Sequence, residues 1–89
     1  MPLYVVERVM PGATLESLQE LRRMAEEVCR AFTDKGRPVR HLRSTFTPGD
    51  SRCRCLFEAD SADLAQEVND TAQLPYSRII IAIEIGEYP

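Results

Sequence analysis

Four side chains in this sequence could together hold a metal ion: His41, Glu7, Glu58 and Cys55. Imidazole, carboxylate and thiolate donors in one set suit nickel, zinc or iron. The chain has a single histidine, so a second imidazole would have to come from a second copy. The same residues also read as a charge network, because Arg43 and Arg54 could pair with Glu7, Glu58 and Glu84. A third chemistry is proton transfer by Glu7 or His41, with Arg43 or Arg54 holding a small anionic ligand. A carboxylate in a partly dry pocket has a raised pKa and can take a proton. The spacing singles out no catalytic residue. Cys53 and Cys55 are separated by one residue, closer than zinc-binding cysteines stand, and read first as small core residues.

These residues must be positioned by a small sheet. Residues 51–59 alternate: Cys53, Cys55 and Phe57 point one way, and Arg52, Arg54, Leu56 and Glu58 the other. That pattern predicts a central strand with helices on the cysteine side. Leu3–Val9 reads as a first strand, ended by Pro11-Gly12. Its Glu7 is placed on the uncovered side, since burying a lone carboxylate beneath helices is costly. Thr14 is a candidate helix cap, and Leu18, Leu21, Ala25, Val28, Cys29 and Phe32 follow at helical spacing up to a stop at Gly36. Residues 39–47 form a second strand, with Leu42, Ser44 and Phe46 on one face and His41, Arg43 and Thr45 on the other. Pro48-Gly49-Asp50 turns it into strand three. Asp60 or Ser61 caps a second helix with Leu64, Ala65, Val68 and Ala72 inward. Residues 78–85 form the last strand, with Ile79, Ile81, Ile83 and Ile85 on the helix side. Residues 86–89 are a short, loose tail.

The order β-α-β-β-α-β predicts a single ferredoxin-like α+β domain over residues 1–89. It is a four-stranded antiparallel sheet with two helices on one face and strands one and three in the middle. The uncovered face then carries Glu7, His41, Arg43, Arg54, Leu56, Glu58, Ile80, Ala82 and Glu84. Leu56, Ile80 and Ala82 make that face too apolar to stay wet. A second copy packing sheet to sheet would cover it, giving a homodimer of the dimeric α+β barrel kind with a pocket between the sheets.

Composition removes several classes. A net charge of −3 argues against nucleic acid, which demands a basic footprint. The third strand also lacks the stacking aromatics of RNA-recognition domains. The longest apolar run, residues 79–83, is too short to span a membrane. With no signal-peptide pattern and an odd number of cysteines, the expected setting is the cytoplasm, with reduced thiols. Charge is uneven: residues 35–54 hold six Lys/Arg against one Asp, and residues 59–89 hold Arg78 against six acids. Two such patches could meet in a dimer or attract an anion.

Three stretches taken together resemble a bacterial family of small domains labelled nickel-binding proteins. They are Tyr4-Val5-Val6-Glu7-Arg8 with Pro11-Gly12, Cys55-Leu56-Phe57-Glu58-Ala59, and Leu74-Pro75 with Arg78-Ile79. The resemblance implies a ferredoxin-like fold, a homodimer and nickel binding. The family often carries a His soon after a Glu in the second helix. Here Glu67 is followed by Val68. The leading expectation is a ligand- or metal-binding protein, with nickel the first metal to test. The competing one is an enzyme of the dimeric α+β barrel type, an isomerase or small oxygenase. A structural interaction module is the third.

Overall fold

The computed structural model describes residues 1–86. Four strands and two helices follow one another as β1 (Leu3–Val9), α1 (Leu15–Asp34), β2 (Val39–Thr47), β3 (Arg52–Ala59), α2 (Ala62–Thr71) and β4 (Arg78–Ala82). The sheet order is β2-β3-β1-β4, and every neighbouring pair is antiparallel. This is the expected ferredoxin-like α+β sandwich.

One face of the sheet meets the helices. Tyr4 and Val6 of β1, Val39 of β2, and Cys53, Cys55, Phe57 and Ala59 of β3 pack with Leu21, Ala25 and Cys29 of α1 and Leu64, Ala65 and Val68 of α2. The helices form where their ends are satisfied. Thr14 and Ser17 cap α1 reciprocally, each side chain taking the other's backbone N–H. Ser61 caps α2 by accepting from the Leu64 N–H. Gly36, at φ +83°, lets the chain leave α1 in the left-handed region.

The last strand is shorter than the isoleucine pattern predicts. Ile79 packs on the core, but β4 ends at Ala82 and Ile81 is 70% exposed. Ile83 and Ile85 lie beyond the strand and are almost fully exposed. The ten-residue α2 leaves the end of this edge strand uncovered, so alternation continues in the sequence with nothing to pack against. Of the loose tail expected at 86–89, only Gly86 is among the described residues. No helix of the described residues is long and apolar enough to cross a membrane.

Candidate functional site

A β-bulge decides where the histidine goes. In the β2–β3 ladder His41 faces Phe57, but Arg43, not Leu42, faces Leu56. Leu42 is the extra residue, and it inverts the alternation. Val39 and His41 before it, and Ser44 and Phe46 after it, all lie opposite helix-side residues of β3. The expectation that His41 shares the uncovered face with Glu7 is therefore corrected. His41 lies beneath α1, its side chain only 1% exposed.

Around the imidazole a chain of polar contacts runs through the core. His41 Nε2 is 2.8 Å from Ser44 Oγ, and Ser44 Oγ donates to Cys55 Sγ at 3.0 Å. Cys53 Sγ is 3.8 Å from Cys55 Sγ. The ring stands edge-on to Phe57, centroids 5.2 Å apart. Either group can donate in the His41–Ser44 contact, and the other ring nitrogen, Nδ1, faces α1. That Nδ1 has no hydrogen-bond partner and lies 3.7 Å from Glu26 Oε2 of α1. Glu26 is kept below the ordinary carboxylate range, chiefly by its hydrogen bond from Arg22.

The three thiols differ. All are free and buried. The contact with Cys53 pulls the Cys55 thiol well below its usual range, helped by His41, nearby Arg8 and Ser44. Cys53 is pushed up by that same contact and by burial. Burial raises Cys29 to about 11. Two cavities flank His41 along the seam between α1 and β2. The one toward the C-terminal half of α1, of about 320 Å³, is lined by Glu26, Cys29, Arg30, Val39, Arg40 and His41 among others. The other, of about 450 Å³, lies toward the start of α1.

Arg8 was not foreseen. It projects to the helix side opposite Cys53 and is 1% exposed. Its Nη2 donates to Asn69 Oδ1 at 2.9 Å and its Nη1 to the Pro75 carbonyl at 3.2 Å, while Nε has no partner. Among the described residues no carboxylate pairs with it. The signal was available: if Glu7 points outward, Arg8 next to it points in.

Glu7 is on the uncovered face, as expected, and buried there. Arg78 Nε donates to its Oε1, and Arg54 Nε lies 3.5 Å from Oε2. Arg78 foremost, and Arg54 after it, hold the carboxyl below its ordinary pKa. This is the reverse of the raised value that a proton-abstracting role predicted. Glu58, on the same face, pairs with Arg40 at 3.2 Å. Arg43 pairs with Glu84. Leu56, opposite Arg43, is only 5% exposed within the single chain.

The four expected metal ligands thus divide. His41 and Cys55 come together beneath α1, bridged by Ser44, whereas Glu7 and Glu58 lie across the sheet from them. The pocket expected between Glu7 and His41 does not form. No three His, Cys, Asp or Glu side chains among the described residues are grouped to hold a metal. Val68, after Glu67 in α2, is wholly buried in the core.

A protein-family profile described as nickel responsive protein SCO4226-like matches residues 4–81. No curated protein matches the chain. A crystal structure of SCO4226 from Streptomyces coelicolor A3(2) superposes with a TM-score of 0.73. It covers 94% of this chain and 99% of the other at 21% identity, a likeness that carries the fold.

Proposed function

Because the chain belongs to the SCO4226-like family of nickel responsive proteins, we propose that it is a small nickel-binding protein acting as a homodimer. The observation that supports the reading is the unpartnered His41 Nδ1, buried beside a carboxylate and opening on a cavity. A metal-ligating histidine commonly donates its other ring N–H to a partner that fixes the tautomer. The bond from His41 to Ser44, backed by Cys55, supplies that partner.

By donor type, His41 Nδ1 and a Glu26 oxygen are the groups that would hold the metal, with the Cys29 thiol and two arginines, Arg30 and Arg40, on the walls of the same cavity. Cys55 acts in this reading through Ser44. Glu7 and Glu58 are left to brace the opposite face. A nickel ion held there supplies a bound divalent charge, and the protein's part is to select and retain it. One chain offers few ligands, and a second copy or water would complete the shell. The exposed isoleucines after β4 are the apolar surface a second copy would cover.

The test is calorimetric titration of nickel into the purified protein beside His41→Ala, Glu26→Gln and Glu7→Gln. Loss of uptake in the first two with retention in the third is expected. Unchanged uptake in His41→Ala removes the site. Sedimentation of the metal-free protein checks the dimer, and a monomer at tens of micromolar would refute it.

A further inference from the structure

The larger cavity beside His41 is not used by the proposed metal site, and its lining is of a different kind. Leu18 and Leu21 of α1 and Phe46 of β2 make an apolar floor. Arg22 stands on its wall, Arg43 borders it with its charge paired to Glu84 on the other face, and no Asp or Glu lines it. Leu15 stands at the rim, 73% exposed, with no role in the core. The bulge at Leu42 bows β2 at this point, and bulges concentrate next to ligand sites. At about 450 Å³ the space lies within the range of small-molecule pockets, which pair a mainly apolar lining with a few placed polar groups.

We propose that this cavity between α1 and β2 is a binding site for a small amphipathic carboxylate, its hydrocarbon body on Leu18, Leu21 and Phe46 and its carboxylate toward Arg22. Arg22 spends its Nε on Glu26, but a guanidinium has five N–H donors and can serve a second carboxylate. Gln19 and the Ser44 hydroxyl line the same space and supply further polar contacts. A neutral chain of equal length would gain the apolar contacts and lose the charge-assisted one. A dianion would carry a charge with no counterpart on the apolar floor. The ligand needs no metal, although the site borders the nickel reading through the Arg22–Glu26 pair and Ser44.

The probes are octanoate and 1-octanol, titrated with a chelator present and followed by calorimetry and backbone amide shifts. Octanoate is expected to bind more tightly than octanol and to shift amides of residues 15–22 and 42–46. Arg22→Gln, a surface change that leaves the core intact, should weaken octanoate about tenfold and leave octanol unchanged, the worth of one charged hydrogen bond. Leu18→Trp, which fills the cavity, should abolish both. Equal affinity for the two probes, or shifts confined to the exposed isoleucines after β4, would overturn the assignment. So would an absence of binding at millimolar octanoate. Because the chelator removes metal throughout, failure here leaves the nickel site standing, and failure of the nickel titration leaves this one.

Discussion

Replacing Asn69 with leucine should expose how much of the fold depends on the Arg8 contact. Asn69 is fully buried, bonds its own helix through Nδ2 to the Ala65 carbonyl at 2.8 Å, and receives Arg8 Nη2 at 2.9 Å. Leucine keeps the branched shape, with somewhat bulkier ends, but leaves a buried guanidinium with the Pro75 carbonyl as its remaining partner. A hydrogen bond to a charged group is worth about 1.5–3 kcal/mol, and an unsatisfied buried donor adds a desolvation cost. Asn69→Leu should therefore cost about 3 kcal/mol, a large share of the roughly 5–13 kcal/mol a domain of this length holds. With a urea slope near 1–1.5 kcal/mol/M the midpoint falls by about 2–3 M. Arg8→Met should cost a similar amount by stranding Asn69 Oδ1. The double variant removes both partners and the buried charge together, so its cost should fall short of the sum by about 1.5–3 kcal/mol. The assay is urea unfolding followed by far-UV circular dichroism for the four proteins. A loss under 1 kcal/mol in Asn69→Leu, or strict additivity in the double variant, would refute the reasoning.

Three further outcomes are expected. Glu7 has a folded pKa below its ordinary value, so its contribution is present above the unfolded pKa and fades as pH falls through the folded one. The urea midpoint of Glu7→Gln should lie below that of the parent at pH 7 and converge with it as pH falls below the ordinary carboxylate range and through the lowered folded pKa. Thr14→Ala removes the reciprocal cap of α1 and should cost about 1 kcal/mol by thermal unfolding. Deleting Leu42 removes the extra residue and leaves Val39 and His41 opposite helix-side residues of β3, so both keep their face. Val39 is 1% exposed and stays covered, so calorimetric unfolding should show a loss smaller than the about 1.5–3 kcal/mol that exposing it would cost.

Element order, sheet order and both helix caps were legible because each rests on local chemistry: Pro11-Gly12, Thr14, Gly36, Ser61, and alternation in β3. The face of Glu7 was legible from the cost of burying an isolated carboxylate. The face of His41 was misread because alternation was carried unbroken through β2. A clue stood in the sequence, since Val39 and Phe46 are both apolar and seven apart, and an odd spacing puts them on one face only if a residue is inserted. The length of β4 was overestimated from four alternating isoleucines, because periodicity shows which side a residue would take and not whether anything covers it. The Arg8–Asn69 pair was hidden because its residues lie 61 positions apart and neither is an expected core type. Of the candidate site, His41 and Cys55 were found, whereas Glu26 reads in sequence as an ordinary solvated helix residue.

The pairing of Arg43 with Glu84 works as a clasp. Arg43 belongs to one marginal strand of the sheet and Glu84 follows the opposite margin, so the contact reaches across the bare side that carries Leu56, the cross-strand neighbour of Arg43. Such half-exposed pairs are worth about 0–1 kcal/mol, little enough that ordinary salt can loosen them. The greasiness of this side is then conditional. In dilute buffer the molecule keeps Leu56 to itself, and in brine it offers that surface to whatever lies alongside.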